Sequence, residues 1–348
     1  MLTNLLYVLL ALLMLDVIVV CHELGHFLVG RACGIGVVEF AVGMGPKLLG
    51  FKRGGVEYSL RAFPIGGYCK FVGEDDDDPA PNAMNNAPVW KRFLTVLAGP
   101  MMNYLLAYVL IVVILLAFPQ VVDVTPGIDT VVAGSPAEAA GLLPGDTLLE
   151  VNGEALTQDG EGTVRLREII AQGGPIALTV QREGETLSLG LTPEPVETDS
   201  GTVYQMGVEL TQVYHRNSLG EALRNGAVLL KRYSTMMLDV LRDLIFRFKG
   251  AENMAGAVGT VAIVSQELKS DLSLILDYAF IISLNLGIIN LIPFPGLDGS
   301  RLLFLLIEAL RRKPVPPEKE GMVHLVGLAI LLVLAAVLTV HDIMTYVL

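Results

Sequence analysis

The sequence predicts a polytopic α-helical membrane protein with four transmembrane helices, an inserted and mostly β domain, and a membrane-associated β-hairpin. Three observations predict it. Of 348 residues, 53% are hydrophobic and 17% charged, where a soluble globular chain carries about 25% charged residues. Mean hydropathy is +0.58. Four separate segments reach the roughly 20 mostly apolar residues that a spanning helix needs.

The first of these segments runs from Leu5 to about Val29. No basic stretch precedes it and no A-x-A site follows it, so it reads as a retained helix rather than a cleaved signal peptide. The second is Phe93–Phe118. The third is about Leu272–Ile292, stopping at a Pro-rich turn, and the fourth is about Met322–Val340. The chain thus divides into 1–118 with two spans, 119–198 with the β domain, a connecting segment 199–271, and 272–348 with the last two spans.

An even number of spans puts both termini on one side. Basic residues gather in Arg31–Arg92 and in the short connection Arg301–Lys319, which predicts that these two are cytoplasmic. The β domain and both termini are then extracytoplasmic. A net charge of −12 argues against nucleic acid as a partner. Cys21, Cys33 and Cys69 are an odd, clustered set and do not read as a disulfide framework.

Within the first cytoplasmic connection, VEYSLRAFPIGGYCKFV at Val56–Val72 alternates apolar and polar residues, and Gly66-Gly67 follow Pro64, a hairpin signal. The run Asp75–Asp78 sits among Pro, Asn and Ala and reads as a solvated loop rather than a cation site. In the middle segment, short apolar strands alternate with Gly turns at Gly134–Leu156 and again at PIALTVQREGETLSLGL, a small β domain ending near Pro195. Leu219–Phe248 is helical in pattern, but Lys231, Arg232, Asp239, Arg242 and Asp243 are too many charges for a span. It fits an amphipathic helix near the membrane surface.

Against this greasy background, HELGH at His22–His26 stands out. Positions i and i+4 of a helix share a face, so His22 and His26 can point ring nitrogens at one ion, in the pattern H-E-x-x-H. Paired imidazoles suit zinc, and Glu23 can take a proton from a water that the ion activates. A helical histidine is often only a satisfied core residue. At membrane depth, where ionisable groups are costly, the metal reading is the better one.

A catalytic zinc wants a third protein ligand. NLGIINLIPFPGLDGSRLL offers Asp298, which lies between two apolar runs and just after the helix-breaking Pro293 and Pro295. Broken backbone inside a membrane lines a cavity rather than lipid. An isolated Asp here would read as a helix N-cap; beside HELGH it becomes the candidate ligand. Glu308 lies deeper in an unbroken helix, and Asp16 lies on the same segment as the histidines, so both fit less well.

With these two motifs in hand, the chain resembles the site-2 protease family of intramembrane zinc metalloproteases, in its bacterial regulated-intramembrane-proteolysis branch with a single PDZ domain. HELGHF at His22–Phe27 and NLIPFPGLDG at Asn290–Gly299 are similar to the family's two metal motifs. VEFAVGMGPKL, FPIGGYCKFVGE, AGPMMNYLLA and the PDZ-like GSPAEAAGLLPGDTLLEVNG also resemble family stretches. Ser300 stands where a second Gly is commoner, and GAVGTV at Gly256–Val261 replaces a usual G-P-V-G.

The resemblance implies zinc held by His22, His26 and Asp298, and catalysis by Glu23. It implies cleavage in or near the spans of single-span membrane proteins, such as membrane-bound anti-sigma factors or remnant signal peptides, already trimmed by another protease. It places the chain in a bacterial cytoplasmic membrane, with its active site toward the cytoplasm and its PDZ-like domain outside. The hairpin, with Gly66 and Gly67, would capture an unwound substrate by strand addition; an ordinary surface hairpin is the alternative. Asn290 and Asn103 would meet substrate backbone, or else form interhelical hydrogen bonds. Two other readings compete: a prenyl-endopeptidase type of membrane zinc protease, and a non-catalytic PDZ scaffold. The LDG turn speaks against the first and Glu23 against the second.

Overall fold

The computed structural model describes residues 2–347 except 75–77, 199–200, 248, 251–253 and 314. Asp75–Asp77 of the acidic run lie outside the described residues. The chain forms two compact units, one from Met1–Ile114 with Gly220–Leu348, the other from Leu115–Leu219.

The first unit is mainly helical. Helix α1 (Leu2–Ala32) is followed by strands β1 (Val37–Arg53) and β2 (Val56–Phe71), then by α2 (Val89–Ala117). Four helices are long and apolar enough to cross a membrane: Asn4–Ala32, Val89–Ala117, Leu274–Leu291 and Lys319–Tyr346. The four predicted spans fall on them. Between apolar helices in lipid, small residues let backbones approach. Gly25 does this in α1, where a Cβ would lie 2.2 Å from the Ala98 carbonyl oxygen of α2.

Within Val56–Val72 the chain does reverse: residues 57–60 run along 37–42 in one direction and residues 67–71 in the other, so the two arms flank 37–42 instead of pairing with each other. A second, tighter reversal lies earlier, at Gly54-Gly55 between β1 and β2. Both glycines have positive φ, 58° and 82°, as a two-residue turn that follows strand twist demands. Gly66, at φ 89°, lies where β2 turns back. The two strands fold over each other. Residues 47–53 pair with 56–61, and residues 37–42 sit between 57–60 and 67–71.

Glu39 fastens the sheet, accepting from Ser59 Oγ (2.5 Å), Arg61 Nη2 (2.8 Å) and Tyr68 Oη (2.8 Å). Burial alone would raise its pKa, but those three donors outweigh it and hold the carboxyl at about 2.

The second unit is the inserted β domain. Its strands are β3 (Gln120–Val131), β4 (Thr147–Val151), β5 (Glu154–Ala155), β6 (Ile176–Arg182), β7 (Glu185–Leu191), β8 (Glu194–Thr198), β9 (Gly201–Gln205) and β10 (Val208–His215), with helices α3 (Pro136–Ala139) and α4 (Gly160–Ala171). The main sheet runs β10-β3-β4-β6-β7, with β5 on β4 and a separate β8-β9 hairpin. Residues 208–215, assigned above to the connecting segment, therefore belong to this sheet as the partner of β3. Inward side chains Ile128, Leu148, Val151, Leu166, Leu178 and Val180 form the core.

Asp146, 1% exposed, closes one end of this core. It accepts two bonds of 2.7 Å from Arg182 and one of 2.9 Å from Leu143 N–H. Bonding to Arg182 holds its carboxyl below the ordinary range. Asp146→Ala should cost about 2 kcal/mol, because donors are left unpaired. A depressed native pKa contributes stability above the unfolded value, near ~4, and loses it as pH falls through the native value. Thermal melts at pH 7 and pH 3 should therefore show the wild type approaching the variant in acid.

The chain then returns to the first unit through α5 (Leu219–Arg247), α6 (Ala257–Ser270), α7 (Leu274–Leu291), α8 (Asp298–Arg311) and α9 (Pro317–Asp342). Much of Arg301–Lys319, counted above as a loop, is thus helical. Ala11, Met14 and Ile18 of α1 pack on Val264 and Leu268 of α6 and Ala279 of α7. Asp342, fully buried at the end of α9, accepts from Gly256 N–H (3.1 Å) and Gly259 N–H (2.7 Å) at the start of α6. A Cβ at either glycine would meet that carboxylate at 2.8 or 2.6 Å. The two glycines of GAVGTV are therefore the part of the motif this contact needs.

Candidate metal centre

His22 and His26 lie one turn apart near the end of α1, both buried. Their Nε2 atoms are 3.1 Å apart. Asp298 opens α8, directly after the turn that ends α7. Its Oδ2 is 3.0 Å from His22 Nε2 and 3.3 Å from His26 Nε2. Among the described residues, these three form a group able to hold a metal ion.

The triangle fits zinc. Bonds of about 2.0 Å at tetrahedral angles put ligand atoms about 3.3 Å apart. The protonation pattern fits as well. His26 Nδ1 donates to Thr95 O at 2.9 Å, so Nε2 keeps its lone pair. Asp298 Oδ2 is buried without a hydrogen-bond partner. A cation shared among the three ligand atoms would satisfy all of their lone pairs at these distances.

Helix α2 forms the back wall. Thr95, Gly99 and Asn103 lie four residues apart, on the face that meets the two histidines. Asn103 is fully buried with Nδ2 3.2 Å from His22 Nδ1, while its Oδ1 lacks a partner. An amide flip puts Oδ1 on that nitrogen, as a metal-binding tautomer of His22 requires. Asn103, with no exposed surface, therefore braces a histidine between helices, the interhelical one of its two expected readings. Gly99 passes so close that a Cβ would lie 2.2 Å from His26 Nε2 and 2.9 Å from His22 Nε2.

Glu23 projects beside the triangle rather than into it, against Gly67 of β2, where a Cβ would sit 3.6 Å from Glu23 Cγ. Gly66 precedes it in the bend. Asn290 is partly exposed in the last turn of α7. Two ion pairs steady α8: Arg92–Glu308 at 2.5 Å and Glu74–Arg301. Glu308, weighed as a ligand, is thus engaged elsewhere. Beside Asp298 lies a cavity of about 450 Å³ between the turn and α9.

Sequence reasoning did not single out Thr95 or Gly99. The signal was present, since Thr95, Gly99 and Asn103 repeat at the same spacing of four as the histidines.

Comparison with known proteins agrees with this arrangement. The profile of peptidase family M50 matches residues 10–334. The chain is 32% identical to a protein of Rhizobium meliloti (strain 1021) named as a zinc metalloprotease, over 95% of each chain. It is 30% identical to the zinc metalloprotease RasP of Geobacillus kaustophilus, covering 93% of this chain and 94% of that one. It is 34% identical to the chloroplastic membrane metalloprotease ARASP of Arabidopsis thaliana, covering 95% of this chain and 77% of that one.

Proposed function

Because the chain belongs to peptidase family M50, the site-2 proteases, and is a multi-pass zinc metalloprotease, we propose that it cleaves single-span membrane proteins in or near their spans. His22, His26 and Asp298 hold the zinc, and Glu23 is the general base. The observation that carries this reading is the meeting of two imidazoles on a candidate span with an aspartate from a broken turn, all within 3.0–3.3 Å.

Zinc supplies Lewis acidity and lowers the pKa of water toward neutrality. The chain's own residues do the rest. Thr95 and Asn103 fix the two rings, the turn after α7 delivers Asp298, and Glu23 takes the proton of the attacking water and returns it to the leaving amine. A substrate helix hides its carbonyls in i→i−4 bonds and must unwind first. Among the described residues, 67–71 of β2 have strand partners on one side only, in β1. Their other edge, beside Glu23, would bind the unwound segment by strand addition, and Asn290 would contact its backbone.

The inserted domain is read as PDZ-like. β10 ends the sheet order, with β3 its one partner strand among the described residues, which suits capture of an extended segment or chain end. The domain lies outside the bacterial cytoplasmic membrane and the metal centre lies toward the cytoplasm, as the distribution of basic residues supports. Substrates are membrane-bound regulators such as anti-sigma factors, or remnant signal peptides, trimmed first by another protease. Family membership sets aside the prenyl-endopeptidase and scaffold readings.

Purified protein reconstituted with a tagged single-span substrate should release fragments whose masses place the cut in or beside the span. Cuts confined to soluble loops would refute the reading.

A further inference from the structure

The turn that carries Asp298 interrupts helix within a membrane protein, so each of its N–H groups needs an acceptor. Pro293 and Pro295 have no N–H. Ile292 donates to Ile289 O (3.0 Å), Phe294 to Ile292 O (2.7 Å) and Leu297 to Phe294 O (3.1 Å). Gly296 is different. At φ 97° its N–H leaves the turn and donates to His324 Nδ1 on α9, at 3.3 Å.

Because Nδ1 accepts, the ring proton sits on Nε2. That atom lies 3.6 Å from Glu320 Oε1, one turn earlier on α9. Ser300 Oγ is 3.5 Å from the same Nδ1, and its hydroxyl donates to Leu297 O at 2.8 Å. A second contact joins the same two elements. Gly327 of α9 lies so close to the turn that a Cβ there would meet Pro295 O at 2.1 Å. The rest of α9 is almost wholly outward-facing. Another fastening is Asp342, at the opposite end of the helix. The cavity beside Asp298 has one wall from the turn and one from α9, including His324.

We infer that His324 is a positioning residue for the third zinc ligand: by accepting from Gly296 it ties the metal-bearing turn to α9 and sets where Asp298 stands against His22 and His26. With Nδ1 accepting, the Nε2 proton faces Glu320 at 3.6 Å without a hydrogen bond. An outward-facing helix far along the chain thereby governs metal retention. The inference rests on the ligand assignment proposed above.

Zinc release to an excess chelator separates the possibilities. His324→Leu keeps bulk and loses the acceptor; it should release zinc about tenfold faster, as loss of a supporting partner typically does, with kcat lowered and KM little changed. His324→Asn presents Oδ1 near the place of Nδ1 and should restore release to within about twofold of wild type. Gly327→Val parts α9 from Pro295 without touching the imidazole and should also speed release. It carries the test if the leucine variant does not fold. Wild-type release from His324→Leu or from Gly327→Val overturns the inference, as does an asparagine variant no better than leucine. Asp298→Ala is the control. Full zinc retention there refutes the ligand assignment itself, whereas zinc loss there with unchanged release from His324→Leu refutes the role of His324 alone.

Discussion

Glu23→Gln should keep its zinc and lose cleavage by about 10²- to 10⁴-fold, the range spanned by general acid–base catalysis. Glutamine matches glutamate in shape but cannot take a proton. Glu23 is not one of the three atoms that converge at 3.0–3.3 Å, so removing its charge leaves the proposed ligand set intact. Metal analysis beside single-turnover cleavage of a single-span substrate tests both halves. If the glutamine variant lost its zinc, Glu23 would be a ligand, and the chemistry would need another base. If it kept its activity, the proton would be moving through some other group.

The proposed division between ligand and base can be read from the sequence because H-E-x-x-H encodes it locally, through helical periodicity alone. Asp298 was legible for a different reason. Two prolines inside an apolar run announce broken backbone, and an aspartate beside it is hard to explain as lipid-facing. The four spans follow from length and hydropathy, which need no knowledge of tertiary contacts.

What could not be read depends on partners distant in the chain. The sheet after α1 contains two glycine pairs, Gly54-Gly55 and Gly66-Gly67, and each could reverse a strand. Only the first takes positive φ at both positions and makes a tight two-residue turn; the second lies where β2 turns back around residues 37–42, a partner that local sequence does not name. Residues 208–215 look like linker until β3, some eighty residues earlier, offers them an edge. Thr95 acts through its carbonyl oxygen, a group that every residue possesses, so its spacing of four from Gly99 and Asn103 marks the face of the helix but not the bond it makes. Nothing in the sequence marks His324, because its donor, Gly296 N–H, is also backbone.

Gly99→Ala should weaken zinc binding at least tenfold while leaving the helix itself at least as stable. In an ordinary helix interior, Gly→Ala stabilises by roughly 0.5–1 kcal/mol. Here the added methyl would lie 2.2 Å from His26 Nε2 and 2.9 Å from His22 Nε2, in the space where the ligand atoms converge. Neither side can give way cheaply. Four residues before Gly99, Thr95 O holds the His26 ring at 2.9 Å; four residues after it, Asn103 sits 3.2 Å from the His22 ring. The helix that would have to retreat is thus the helix that aims both imidazoles. Zinc affinity should fall at least tenfold, as when supporting groups of a metal site are disturbed, and cleavage should fall with it. Gly321→Ala, where a Cβ meets nothing within 4 Å, should leave zinc unchanged and serves as the control. Undiminished zinc in Gly99→Ala would mean that α2 stands farther from the histidines than these contacts imply, and the back wall of the metal centre would have to be redrawn.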